Sequence, residues 1–307
     1  MNNKRKIFIG SRRSNLAKKQ TAIALKILKK EVPNNFHIKH ILSTGDKVSF
    51  REFKNNGGKG LFTKNIDNLL INKKIDLAVH SAKDLPGILD KRLIIGAYLP
   101  REDVRDVLVT KNKNIKNLLD LEGKVIFGSS SPRRIYYLKN LFPLARIKNL
   151  RGNIESRIKK VLENKIDYIL LANAGIKRLN LKFKNINIIK ISTETILPAP
   201  GQGAIAILCR KNDEDMIKVC NKIDSLNTRI LVSSERAFMR EIDGDCFTPL
   251  AALAKIKGTR FEITARLFSK NGKYFSEHKE ISDINKAIKA GKICAKKIIK
   301  DLEKKIV

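Results

Sequence analysis

Apolar runs that break into charged and hydroxyl-bearing residues are where chemistry could sit in this 307-residue chain. Val79-His80-Ser81-Ala82-Lys83-Asp84-Leu85-Pro86 follows such a run. Lys83 and Asp84 can form one structural ion pair. Asp84 can also be a carboxylate held out of water, able to stabilise a cation and move protons beside an anion-binding lysine. Basic motifs close four other segments: Gly10-Ser11-Arg12-Arg13-Ser14, Gly128-Ser129-Ser130-Ser131-Pro132-Arg133-Arg134, Leu150-Arg151-Gly152-Asn153 with Arg157 one turn on, and Gly175-Ile176-Lys177-Arg178. Open α/β sheets bind ligands beyond the carboxyl ends of their strands. Ser131 suits an N-cap and Pro132 the first helical position, which puts Arg133 and Arg134 in a first turn, against the helix dipole. Such a placement calls for an anion, and arginine matches carboxylate or phosphate in a bidentate way. Cys246 lies in Ile242-Asp243-Gly244-Asp245-Cys246-Phe247. Acidic neighbours disfavour a thiolate, so an alkylated, uncharged sulfur fits this setting better than an ordinary cysteine nucleophile.

The elements that must position these residues follow from periodicity. Lys6 to Gly10 reads as a strand, and Ser14 caps a helix to about Glu31 that Pro33 stops. His37 to Leu42 is a strand. Thr44 to Gly60 is a polar, glycine-containing loop. Thr63 to Lys74 reads as a helix and Ile75 to His80 as a buried strand. Strands at Val104–Thr110, Val125–Gly128, Ile147–Leu150 and Tyr168–Ala172 alternate with helices at Ile115–Leu121, from Ser131-Pro132, and at Ile154–Glu163. This alternation predicts parallel sheets with helices on both faces, in two α/β lobes. The stretch Thr195 to Arg210, with Pro198, Pro200, Gly201 and Gly203, reads as a return crossing between them. The rest predicts a small α+β domain: a helix at Asn227–Ile242, strands at Leu250–Lys257 and Phe261–Phe268, an Asn271-Gly272 turn into a third strand, and a helix at Ile284–Leu302.

Composition bounds the function. Hydrophobic residues are 42% of the chain, enough for real cores, and two or three domains fit the length. No apolar run approaches a membrane span, and the N-terminus lacks a signal-peptide core, so a cytoplasmic protein is expected. The four cysteines form no CxxC pair, and no metal site is expected. The net charge of +34 fits a polyanionic partner, but the joint richness in Lys, Asn and Ile favours compositional drift.

Taken in order, Gly57-Gly58-Lys59-Gly60-Leu61-Phe62, His80-Ser81-Ala82-Lys83-Asp84, Arg101-Glu102-Asp103, Ser131-Pro132-Arg133-Arg134, Arg151-Gly152-Asn153, Pro200-Gly201-Gln202-Gly203-Ala204 and the Cys246 loop resemble the porphobilinogen deaminase (hydroxymethylbilane synthase) family across essentially the whole chain. The resemblance implies an α/β fold of two type II periplasmic-binding-protein-like lobes with parallel-rich sheets plus a small C-terminal α+β domain. It implies boundaries at 1–102 with 200–222 for lobe 1, 103–199 for lobe 2 and 223–307 for the C-terminal domain. It implies a transferase of tetrapyrrole and haem biosynthesis. Such an enzyme adds four porphobilinogen units, with loss of ammonia, to a dipyrromethane cofactor joined to Cys246 by a thioether, then frees hydroxymethylbilane by hydrolysis. By resemblance Asp84 is catalytic. Lys83, Ser129, Ser130, Ser131, Arg133, Arg134 and Arg157 hold cofactor carboxylates. Arg12, Ser14, Gln20, Lys59, Phe62, Arg151 and Arg178 face substrate or the growing chain. A monomer with porphobilinogen as its partner, and neither nucleic acid nor membrane, is expected.

Some positions depart from the family pattern. Asn55 stands where a lysine is usual, with Lys54 nearby; Asn15 replaces a common proline; Asp245 and Phe247 replace the usual glycine and glutamine. Two rival readings follow from the residues. A two-lobed small-anion binding or sensing protein without catalysis explains the arginines but not Asp84 together with Cys246. A nucleic-acid binder explains the charge, but aromatics are only 6%, Trp is absent and no RNA- or DNA-binding motif is present.

Overall fold

The computed structural model describes residues 5–33, 35–42, 63–245 and 247–306. The predicted glycine-containing loop, Lys59, Phe62, Asn55 and Cys246 lie outside them. Strands β1 (Lys6–Arg12) and β3 (Leu77–Ser81) are buried along most of their length, as central parallel strands must be. β1 pairs in parallel with β2 (Asn35–Ile41) and with β3. β10 (Ile205–Arg210) enters antiparallel between β3 and β4 (Leu93–Tyr98), giving the order β2-β1-β3-β10-β4. Ile7, Ile9, Leu77, Val79, Ile205 and Ile207 project into one core with Ala24 and Leu28 of helix α1 (Asn15–Glu31). Each such aliphatic side chain contributes about 1.5–3 kcal/mol on burial. Helix α2 (Lys64–Ile71) closes the other face through Ile66 and Leu70.

The second sheet repeats the plan. Its order is β7 (Arg146–Lys148), β6 (Ile126–Gly128), β8 (Tyr168–Ala172), β5 (Asp106–Thr110), β9 (Asn187–Lys190). β6 is parallel to β7 and β8, and β5 is the antiparallel strand between β8 and β9. The strand that breaks each sheet's parallel run is the one that has just crossed over: β5 from the first sheet, β10 from the second. Two strands of chain therefore join two pseudo-equivalent lobes. Helices α3 (Pro132–Leu141), α4 (Ile154–Leu162) and α5 (Asn173–Leu179) belong to the second lobe, and α6 (Glu214–Asn221) packs on β4 and β10 of the first.

The C-terminal part is a three-stranded antiparallel sheet, β11 (Leu250–Lys257), β12 (Arg260–Phe268) and β13 (Phe275–Asp283), under α7 (Leu226–Glu241) and α8 (Ala287–Ile306). Gly291 permits the close helix contact, since a Cβ there would lie 2.2 Å from the Ser234 carbonyl oxygen. Phe268 meets Tyr137 of α3 edge-on at 5.0 Å, which seats this sheet on the second lobe.

The predicted α/β lobes and α+β domain are present. The boundaries differ in places for local reasons. Ile115–Leu121 is not a helix; only a 3-10 turn at Leu118–Asp120 forms, with Asn117 and Asp120 bonding the backbone in a capping box. β4 and β9 are strands the periodicity does not announce, because β4 is interrupted by Gly96 and β9 is four residues long. Gly96 has its own reason: a Cβ would lie 2.6 Å from Cys220 Sγ and 3.0 Å from Cys209 Sγ. Cys209, Cys220 and Cys294 are buried and free. Among the described residues no helix is long and apolar enough to cross a membrane, and no cluster of metal-binding side chains occurs.

Candidate active site

The end of β3 places the catalytic candidate. After Ser81 the chain tightens into a 3-10 turn, Ala82–Asp84, leaving Lys83 and Asp84 half-buried. Lys83 Nζ donates to Gln202 Oε1 at 3.3 Å. Burial, then Arg134, pushes the Lys83 ammonium down to about 8. Asp84 instead lines a small pocket of about 40 Å³ with Arg12, Ser14, Gln20, Thr63, His80 and Ser81. The N-terminus of α1 builds the opposite wall. Ser14 Oγ accepts from Ala17 N at 3.3 Å, and two turns in, Gln20 Nε2 donates to Ser81 Oγ at 2.8 Å. Asn15 Nδ2 reaches Glu155 Oε1 of α4 at 3.0 Å, an interlobe contact that a proline there could not make.

The facing lobe supplies cations. Ser131 is at the N-cap of α3 and Pro132 is in its first turn, as expected, but the Ser131 side chain makes no capping bond. Ser129 Oγ accepts from Ser131 N at 3.2 Å, and Ser130 Oγ donates to Leu150 O at 2.8 Å. The anion that first-turn arginines require is internal. Asp106, fully buried at the start of β5, takes Arg133 Nη2 at 2.8 Å and Arg134 Nε and Nη2 at 3.1 and 2.8 Å. Gln202 Nε2 adds a bond to Asp106 Oδ1 at 2.9 Å. Arg133 and Arg134 also donate to the carbonyls of Leu197 and Leu170. The two arginines hold the Asp106 carboxyl far below the usual range despite its burial.

One carboxylate does not neutralise this region. Arg133 Nε is buried with no hydrogen-bond partner. Arg157 donates Nε to Gly152 O, and burial with Arg134 and Arg151 nearby lowers it to about 10. Guanidinium and ammonium groups that depress one another in this way are preorganised for added anions. Lys83, Arg133, Arg134 and Arg157 thus fit a ligand bearing several carboxylates. Arg178 stands in the last turn of α5, and its Nη2 donates to Gly203 O at 2.6 Å on the return crossing.

Sequence reasoning missed two buried acids, Asp106 and Glu235. Glu235, on α7 and fully buried, accepts from Arg101 Nη1 and Nη2 at 2.8 and 3.0 Å, from Gly201 N at 2.7 Å and from Ala254 N at 2.9 Å. It ties both interlobe crossings to the C-terminal sheet. Neither was marked in the sequence: Asp106 follows Arg105 and Glu235 stands between Ser234 and Arg236, as solvated acids also do, and only burial shows that they must be paired. Asp245 also gains a reason: its Oδ1 accepts from Phe247 N, Thr248 N and Thr248 Oγ1 at 2.8–3.0 Å, organising the turn on either side of position 246.

Fold and site together define a two-lobed α/β protein in which the cations grouped around Asp106 outnumber that one buried carboxylate. Residues 7–218 match the family model "Porphobilinogen deaminase, dipyromethane cofactor binding domain", and residues 229–300 match "Porphobilinogen deaminase, C-terminal domain". The porphobilinogen deaminase of Rickettsia canadensis is 39% identical over 97% of this chain and 99% of its own length. That of Bacillus subtilis is 38% identical over 95% and 92%. Among solved structures, the periplasmic VFT2 domain of Bordetella pertussis BvgS is similar at 15% identity, over 71% of this chain and 85% of that one, with a TM-score of 0.42. The chain belongs to the porphobilinogen deaminase family.

Proposed function

We propose that this chain joins four porphobilinogen molecules head to tail on a dipyrromethane primer held by a thioether at Cys246, then releases hydroxymethylbilane by hydrolysis. The observation that carries the reading, beside family membership, is the surplus of cations around Asp106 on the face opposite Asp84. Porphobilinogen brings an acetate and a propionate with each ring, so a growing chain needs such a surplus. When bound, the cofactor would supply the free pyrrole carbon to which the first unit joins, each later unit joining the terminal ring of the chain so extended.

The chain's own residues do the rest. Lys83, Arg133, Arg134 and Arg157, with Ser129, Ser130 and Ser131, hold cofactor carboxylates. Arg12, Ser14 and Gln20 receive the incoming substrate, with Arg151 and Arg178 serving the growing chain; Lys59 and Phe62 complete this set. Loss of ammonia from porphobilinogen leaves a cationic pyrrole, and the Asp84 carboxylate offsets that charge and assists proton transfer. The cations of the site are fixed by Asp106 and backbone carbonyls before ligand arrives, so little reorganisation accompanies binding. Strand membership supports lobe 1 as 1–102 with 200–222, lobe 2 as 103–199 and a C-terminal domain at 223–307. We take the protein to act as a cytoplasmic monomer.

The test is the intact mass of the denatured protein. It should exceed the polypeptide by two linked pyrrole units, and Cys246→Ala should remove the excess. An active protein of bare polypeptide mass would sink the thioether-linked primer; an inactive one of bare mass that binds carboxylates would favour the two-lobed anion binder.

A further inference from the structure

Behind the pocket that Asp84 lines, two buried polar atoms face each other without hydrogen-bond partners. His80 Nε2 on β3 and Asp67 Oδ1 on α2 are 3.7 Å apart, and each is buried with no hydrogen bond. A buried orphan polar atom is costly, and the Nε2–H tautomer of His80 supplies the donor that Asp67 Oδ1 lacks. A shift of less than about 1 Å brings them within the usual N–H···O range. His80 also lines the pocket itself, together with Arg12 and Asp84. We infer that His80 and Asp67 are a proton-accepting pair seated behind the substrate pocket, positioned to relieve Asp84 of the proton lost at each ring addition.

The inference rests on the proposed ring-joining reaction, and the proton balance of that reaction requires an acceptor. Porphobilinogen enters with its aminomethyl group as an ammonium. The C–N bond breaks with its electron pair leaving on ammonia, the new C–C bond forms, and the attacking ring carbon then loses its proton. One proton per addition must leave the ring, and Asp84 must be ionised again before the next unit arrives. A neutral imidazole backed by a carboxylate can hold that proton until ammonia or water removes it.

The charges around the pair favour this. Burial, then Arg12 on β1, pushes His80 down to about 4, so its ring is neutral at pH 7. Burial, with Asp90 adding to it and a Thr63 hydrogen bond opposing, pushes Asp67 up to about 6, so it is mostly ionised at pH 7. Asp84 and Arg12 are the other charged groups on the pocket wall. A substrate carboxylate engaged by Arg12 offsets the charge that depresses His80, so substrate binding raises the pair's proton affinity when it is needed.

Single-turnover formation of enzyme–pyrrole adducts, followed against pH, tests this with porphobilinogen on the cofactor-loaded protein. The wild type should lose rate as pH falls through about 6, because the pair is then protonated in advance. In Asp67→Asn that acid limb should disappear, and the rate at neutral pH should fall about tenfold to a hundredfold with substrate affinity unchanged. Asp67→Glu should restore both limb and rate, which a purely structural role for Asp67 would not require. If Asp67→Asn fails to fold, the comparison of Asp67→Glu with His80→Gln carries the test: the first should keep the limb and the second lose it. Wild-type adducts with an unchanged profile in Asp67→Asn, or in His80→Gln, would overturn the pair; absence of adducts in the wild type would instead overturn the proposed reaction.

Discussion

At Asp84 the deciding property is charge at a fixed place. Asp84→Asn keeps the shape of the turn and removes the carboxylate, so adduct formation should fall ~10²–10³-fold while the cofactor still assembles. Single-turnover measurement decides; a wild-type rate in the variant moves the electrostatic role elsewhere. Lys83 makes a second residue-scale prediction. Its ammonium is held down to about 8, so the empty protein loses that charge as pH rises through 8. Cofactor assembly by freshly made apoprotein should slow over that interval, and Lys83→Arg, charged throughout, should abolish the dependence. The stability sign is opposite. A lysine depressed on folding is charged at a cost below about 8, and that cost fades as pH rises towards the unfolded value of about 10.4. Apoprotein stability should therefore rise, not fall, over the interval in which assembly slows.

Elements here are joined by buried acids. Asp106 pins α3 to β5, and Glu235 pins α7 to both crossings and to β11. Removing one partner of a buried ion pair leaves uncompensated charge, at about 3–5 kcal/mol. Asp106→Asn and Glu235→Gln should each lose stability of that order in denaturant unfolding. Their consequences should differ: Asp106→Asn loosens Arg133 and Arg134 and impairs cofactor loading, whereas Glu235→Gln loosens the crossings and slows elongation with the cofactor in place. Asp106 is depressed on folding, so its contribution is present above the unfolded carboxylate range and is lost as pH falls below about 4. The return crossing has a backbone constraint as well. Gly203 has φ +86°, and a Cβ there would lie 2.4 Å from Glu102 O, so Gly203→Ala must distort the crossing.

For the molecule as a whole, the net charge of +34 acts on a substrate that carries only carboxylates and one ammonium. Long-range attraction concentrates such anions near the cleft, and salt screens it beyond about 8 Å at physiological ionic strength. The value of kcat/KM should fall as ionic strength rises, while the single-turnover rate at saturating substrate should hardly move. Equal salt sensitivity of both would place the effect inside the site.

The sequence by itself determined the parts whose cause is local. Periodicity and capping residues placed α1, with Ser14 at its start, and much of the alternation in both lobes, but not β4 or β9, and they announced a helix at Ile115–Leu121 where only a 3-10 turn forms. The run from Ser131 to Arg134 put two cations in a first turn and so required an anion, without saying which. Ordered motifs were enough for the family. What only the tertiary structure decided depends on partners far apart in the chain. Asp106 meets arginines 27 and 28 residues away, and Glu235 meets Gly201 34 residues away. Gln20 finds Ser81, and Asp67 faces His80 across a helix–strand contact. A buried acid looks the same in sequence as a solvated one. Its worth is set by desolvation and by the cations the fold brings to it, and neither exists until the chain is packed.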